Sequence, residues 1–544
     1  MNNKIRKYIP FFLSLILTGM QIMGFRISMK YQTSVHTVEI LKVIYESPLA
    51  LHLFLGLMEF ALIYILLQLL FVILDSRGRD MGKSCSELPL WCWGIVAALL
   101  FLCWLPCLAA SYPGFFNYDV SGQLSQAMHS GVSYNSHHPL LHTLIVGKII
   151  TWGYRLSGQE ELTIGILLYS LFQMGFCAAV FTYFIRFLLR MTGRIIIALL
   201  ALLYYAFFPV IVMYTMSTTK DVMCSGVLLY SMVTLYCLLE DPERFFRSLV
   251  RCTGLVLSFA AACLLRKNVI YAVLLLAMVM ILFWKGYRCR SILVFGSILA
   301  VYVIGSQGML LALDAQAGGI SEAFSVPIQQ IARVYHKYGE NGFAPGELEL
   351  LNQVGNAGVW KNYNPLFADP VKNHIDFAPV KAEPGKYLKL WAKTGIRYPK
   401  EYIMSFLENT YQAWYPGTSI INEPGSGETC YFDINMSMDM ERYSKNSKLL
   451  GFYEKLSREH YYQKIPVIRL LFSVGAMFWV ALIVFGYGLW RRDRCILYPM
   501  VLVLALCLTN LFGPVVLVRY YLILFYGFPV FAGYLLRTRP LAGA

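Results

Sequence analysis

The feature that most restricts this chain is a recurring apolar run of about 20 residues, broken by short charged loops. Wound as a helix, a run of that length matches the hydrocarbon thickness of a bilayer. Backbone amides find no water there, so each run must satisfy its own hydrogen bonds as a helix. Runs near 8–25, 49–74, 90–110, 162–185, 195–213, 222–239, 252–265, 269–284, 291–311, 466–489, 495–513 and 518–536 give twelve candidate spans. Composition agrees, with 58% hydrophobic and 14% charged residues against roughly 25% charged in a soluble domain. The expected fold class is an all-α polytopic membrane protein.

The net charge of +15 fits Lys and Arg held in cytoplasmic loops and gives no reason to expect a nucleic-acid partner. Of the 13 Cys residues, Cys430 alone lies in a long polar stretch, which gives neither a disulfide framework nor a CxxC metal pair. Lys4, Arg6 and Lys7 precede the first run as in a signal peptide, but Gly24-Phe25-Arg26 follows in place of a small-residue cleavage site. A retained first helix is expected.

Loop charge sets direction. With both termini inside, the inside loops and tails hold 20 Lys and Arg, and the short outside loops hold 9. Residues 139–157 test this scheme, because a crossing there would invert every later loop. Lys148, Trp152, Tyr154 and Arg155 suit an amphipathic helix in the outer interface instead. The chain then divides into two N-terminal spans at 1–89, a transmembrane core at 90–311 with an outer loop at 111–161, an extracytoplasmic region at 312–465, and C-terminal spans at 466–544. Helices are expected within the outer region at 325–338 and 386–412. The expected location is the plasma membrane, among its lipids.

Five polar sites stand out, and all fall on the outer side. The first is Tyr112-Pro113-Gly114-Phe115-Phe116-Asn117-Tyr118-Asp119 with Gln123 and Gln126, then His137, His138 and His142. Asp119 is the only carboxylate between Glu87 and Glu160. A lone acid at a membrane boundary can deprotonate a hydroxyl or hold a metal, although Pro, Gly and Asn also make ordinary turns. The second is Ser217-Thr218-Thr219-Lys220-Asp221, which reads as a phosphate-binding lysine beside a second acid, or as an anchor and helix cap. Third, Arg266-Lys267-Asn268 breaks the inside bias where charge is costly, or snorkels outward. Fourth, Arg519 precedes Tyr520-Tyr521. Fifth, Gln330 and Arg333 lie on an amphipathic segment opening the outer region. Together these sites would suit an anionic lipid head group, because phosphate favours Arg and Lys. No phosphate loop, HExxH or GxSxG motif is present.

The stretches YPGFFNYDVSGQLSQ, HHPLLH, STTKDV, LLRKNVIY, SVPIQQIARVY, NTYQAWYPG and LVRYY resemble, in their order, the GT-C superfamily of membrane glycosyltransferases. The nearer likeness is to an uncharacterised bacterial membrane family related to the protein mannosyltransferase and aminoarabinose transferase type. The resemblance implies a GT-C-like core, a polyprenyl-phosphate-sugar donor, inversion, and a cell-envelope glycan, lipid or protein as acceptor. It implies Asp119 as the catalytic acidic residue of the first outer loop, acting as general base on the acceptor hydroxyl. Lys220, Arg266 and Arg519 are inferred as phosphate-binding groups. Asp221, Gln123, His137, His138, Gln330, Arg333, Trp414 and Tyr415 are further substrate-binding candidates, with core packing the alternative for the aromatic pair. Burial near lipid is expected to raise the Asp119 pKa. Asn117-Tyr118-Asp119 stands where some relatives carry two adjacent acids, so a divalent metal is left open and no metal ligand is assigned. A transporter or flippase of lipid-linked saccharides, or a polysaccharide polymerase or ligase, would use the same cations.

Overall fold

A computed structural model describes residues 3–31, 44–77, 88–128, 131–158, 161–418, 447–457 and 465–537. Cys430, Lys42, Arg79, Lys83 and Arg539 lie outside them. The helices that frame the site are α1 (Asn3–Tyr31), α2 (Leu49–Arg77), α3 (Leu90–Ala110), α4 (Asp119–Met128), α5 (Leu140–Leu156), α6 (Thr163–Thr192), α7 (Ile195–Phe207) and α8 (Lys220–Glu240). They continue as α9 (Leu249–Leu265), α10 (Val269–Phe283), α11 (Arg288–Ala312), α12 (Ser325–Tyr338), α13 (Pro345–Val354), α14 (Pro384–Arg397) and α15 (Pro399–Trp414). The chain closes with α16 (Val474–Arg491), α17 (Arg494–Asn510) and α18 (Leu522–Leu535). Helices dominate, and the described residues form no strand beyond isolated bridges.

Among the described residues, 8 helices are long and apolar enough to cross a membrane. α7, α9, α10 and α17 are apolar but shorter. The chain is thus an all-α, multi-pass membrane protein. Burial separates centre from rim. The window in α8 is 83% buried, that in α2 only 17%. α2 turns Leu57, Met58, Leu62 and Leu66 outward, as lipid-facing residues must, because lipid tails replace water as their solvent. α8 sits inside, packed by α6, α9, α17 and α18.

Three expected segments are divided, two of them at prolines. The run 195–213 is split before Pro209, and 386–412 before Pro399. Each proline removes an amide donor and disfavours helix in the residue before it. The run 466–489 divides into Pro466–Phe472 and α16. α5 occupies the expected 139–157 segment. It buries His142, Thr143, Val146 and Ile150 and exposes Trp152 and Leu156.

Ion pairs mark the two ends of the bundle. Arg6 and Arg491 both reach Asp75, Arg190 reaches Glu240, Arg290 reaches Glu243, and Arg537 grips Asp493. The other end carries Lys30, Asp119, Lys220, Arg266 and Arg519. The outer region builds its own core from Ile328, Ile331, Tyr335, Leu351, Trp360, Val371, Leu390 and Tyr402. α15 ties that core to the bundle, where Tyr411, Trp414 and Tyr415 are buried.

Candidate functional site

Two loops about a hundred residues apart create the site. Phe115 and Ser217 form a parallel bridge. Phe115 N–H donates to Met216 O at 3.1 Å and Thr218 N–H to Phe115 O at 2.9 Å. Asn117 N–H donates to Thr218 Oγ1 at 2.8 Å. Gly114 makes the turn before this bridge at φ 130°, and a Cβ there would collide with Ser170 Oγ. Asn117 Oδ1 then accepts the Asp119 amide at 3.0 Å, which starts α4. On the facing loop, Thr219 caps α8 by accepting the Asp221 amide. The bridge therefore sets one helix start, carrying Asp119, against another, carrying Lys220 and Asp221.

Lys220 Nζ donates to Asp119 Oδ2 at 2.9 Å. Arg519 approaches the same oxygen at 3.5 Å and donates to Asn117 Oδ1 at 2.8 Å and to the Tyr118 hydroxyl at 2.6 Å. Arg519 Nε lies 3.9 Å from Asp221 Oδ2 and is a buried nitrogen with no hydrogen-bond acceptor. Arg266 donates to Asp221 Oδ1 at 2.8 Å and to Asn510 Oδ1 at 3.2 Å, and its guanidinium stacks over Tyr520. Asn268 donates to the same Asn510 oxygen at 2.8 Å. The three cations and two carboxylates form one continuous cluster, each at most 15% exposed.

Burial alone would raise the Asp119 carboxyl. Arg519 and Lys220, with His138, outweigh it and hold the group well below the usual carboxylate range. This corrects the expectation of a raised pKa: the cations lie closer than lipid does. Burial, then Lys220, pushes His138 down to about 4, so it faces Lys220 at 3.5 Å as a neutral ring. His137 packs edge-on against it. Lys267 donates to Ser136 O, joining the histidine loop to the α9–α10 turn.

Beneath the cluster runs a buried chain of polar groups. His142 bonds Gln123 at 3.0 Å through one ring nitrogen and the Tyr169 hydroxyl at 2.9 Å through the other. Tyr169 donates to Gln173, which donates to the carbonyls of Tyr214, Thr215 and Ser217. Buried Gln123 is thus tied, through His142, Tyr169 and Gln173, to the loop that carries Lys220. Tyr169, Gln173 and Asn510 escaped the sequence reading. Only Asn510 left a trace, as an amide ending an apolar run.

Four sequence candidates lie elsewhere. Arg333 is held by Glu401, Glu408 and Tyr363 in the outer region, apart from the Asp119 cluster. Gln330 accepts from Trp391 and donates to Tyr402 O in that region's interior. Trp414 and Tyr415 pack in the bundle core, with Tyr415 against Gly24 and Gly475. They present no face to a sugar.

The donor set does not suit a resident metal ion. Asp119 and Asp221 each face cations, and no group of three or more His, Cys, Asp or Glu among the described residues is placed to hold one. The fold and cluster together define a multi-pass membrane protein with a buried, cation-rich polar site at one end of its bundle. Residues 129–537 match the profile described as a family of unknown function, DUF6020, and the chain belongs to that family. The matched span includes Lys220, Asp221, Arg266 and Arg519 and begins ten residues after Asp119. No curated protein and no solved structure matches the chain.

Proposed function

We propose that this chain is an integral-membrane glycosyltransferase of GT-C type. It moves a sugar from a polyprenyl-phosphate donor to an extracytoplasmic glycan, lipid or protein, with inversion. The observation that carries the reading is the meeting of Asp119 with Lys220, Asp221, Arg266 and Arg519 in a single buried cluster with one cation in excess. A lipid phosphate supplies the missing negative charge. In this reading α7, α9, α10 and α17 also cross, giving twelve spans around a GT-C-like core. Both termini lie in the cytoplasm and the site faces out across the plasma membrane.

At rest Asp119 is ionised and paired with Lys220. An incoming donor phosphate competes for Lys220 and Arg519. As they turn to it, Asp119 loses the partners that depress its pKa, and its proton affinity rises. The acceptor hydroxyl oxygen then attacks the anomeric carbon. The bond from that carbon to the phosphate oxygen breaks, its electron pair passes to the phosphate, and Asp119 takes the hydroxyl proton. Lys220, Arg519 and Arg266 stabilise the charge developing on the phosphate.

The test is transfer of radiolabelled sugar from polyprenyl phosphate in proteoliposomes. Asp119→Asn is expected to lower transfer by about 10²–10⁴-fold while the protein still inserts and purifies as a single species. Undiminished transfer removes Asp119 from the mechanism. Label that crosses the bilayer without transfer points to the flippase reading.

A further inference from the structure

The outer region contains a cavity of about 500 Å³, well within the range of small-molecule sites, roughly 300–1,000 Å³. Its wall is almost wholly apolar. Ile328 and Ile331 of α12, Val354 of α13, Trp360, Phe377 and Leu388 of α14 contribute to it. Fully packed cores leave few voids larger than a water molecule, so an apolar space of this size is built to hold something or is held open. At roughly 30 Å³ for each water-sized group, it takes on the order of one fatty acyl chain.

The helix at its mouth, α14, buries Leu390 and Thr394 and also leaves apolar residues outside. Leu388 lines the cavity yet is 63% exposed, and Ile396, two turns further along the same stripe, is 82% exposed. Lys389 and Lys393 are exposed along one side of that stripe, and Lys386 beside them is paired with Glu383 at 2.7 Å. An apolar stripe flanked by lysines is the pattern of a helix resting on an anionic membrane surface. The cavity shares α12 with a contact to the bundle: Ile328 and Ile331 line it, and Arg333 leaves the opposite face of the same helix. Arg333 is joined through Glu408 to Lys30, at the end of the candidate span Tyr8–Tyr31.

We propose that this cavity binds an acyl chain of an anionic phospholipid, drawn from the adjoining leaflet, with the lipid head group held by the lysines of α14. The site is separate from the Asp119 cluster, and the proposal does not depend on glycosyl transfer.

Photocrosslinking of the full chain in vesicles decides it. The probes are phosphatidylglycerol and phosphatidylcholine with the same diazirine-bearing acyl chain, and labelled peptides are mapped by mass spectrometry. Phosphatidylglycerol is expected to label α12–α14 more strongly than phosphatidylcholine, while both label α2 equally. Val354→Trp, which fills the cavity, is expected to abolish outer-region labelling and leave that of α2 intact. Leu388→Asp, an exposed change that leaves the core untouched, gives the same loss should Val354→Trp fold poorly. Equal labelling by the two lipids overturns the proposal. So does labelling unchanged in Leu388→Asp, or no outer-region labelling at all, the result expected if the cavity receives a protein partner.

Discussion

The Asp119 cluster and the Arg333 network each bring three cations to two carboxylates, yet they place the surplus charge differently. Around Arg333, the extra cations are Lys30 and Lys337, both about half exposed. Water neutralises them, and the buried remainder is one arginine against Glu401 and Glu408. Around Asp119 all three cations are largely withdrawn from water. Burying an uncompensated charge is costly, so this second arrangement is suited to an anion from outside the chain. A count of charges would have judged the two sites equal; exposure separates them.

The largest difference should appear on removing a buried cation. Arg266→Gln leaves Asp221 fully buried without its main partner and should cost about 3–5 kcal/mol, read from unfolding in detergent. Lys337→Met, whose side chain is half in water, should cost under about 1 kcal/mol. Equal losses would break the comparison.

Next in size is ligand dependence. Lys220→Met should weaken binding of a phosphate-headed lipid by about 10- to 100-fold, as expected for one charge-assisted hydrogen bond. Lys337→Met should leave that affinity unchanged. Lipid pull-down or calorimetry in nanodiscs reads both.

A smaller effect comes from acid. Burial holds His142 down to about 3 and His138 down to about 4. Below the ordinary histidine range near 6.5 the unfolded chain takes up protons that the folded chain refuses. Stability is therefore full above about 6.5 and falls as pH drops toward 4. His142→Gln should flatten that slope in a series of unfolding curves. The smallest expected effect is at Trp414. Trp414→Phe should leave sugar transfer unchanged, because the ring packs in the core.

Much of this was open to sequence reasoning, for physical reasons. Apolar run length reports directly on the bilayer, so α1, α2, α3 and α6 were legible. Helix breaks at Pro209 and Pro399 were not, because periodicity continues across them. Asp119, Lys220, Arg266 and Arg519 drew notice as charges where charge is expensive. Their meeting depends on the Phe115–Ser217 bridge, a backbone contact that leaves no compositional mark. Arg333 drew the same notice and lies elsewhere, because sidedness does not fix lateral position. Tyr169 and Gln173 sit in apolar runs and pass there as packing residues. The lowered pKa of Asp119 likewise follows from neighbours brought together by folding, not from the lipid nearby.

In the proposed function, the surplus buried charge beside Asp119 awaits a lipid phosphate. This is tested most directly by titrating polyprenyl phosphate into the purified protein in nanodiscs and comparing wild type with Arg519→Gln and Lys337→Met. Saturable binding is expected in wild type and Lys337→Met, and its loss in Arg519→Gln. Equal binding by all three, or none by wild type, would contradict it.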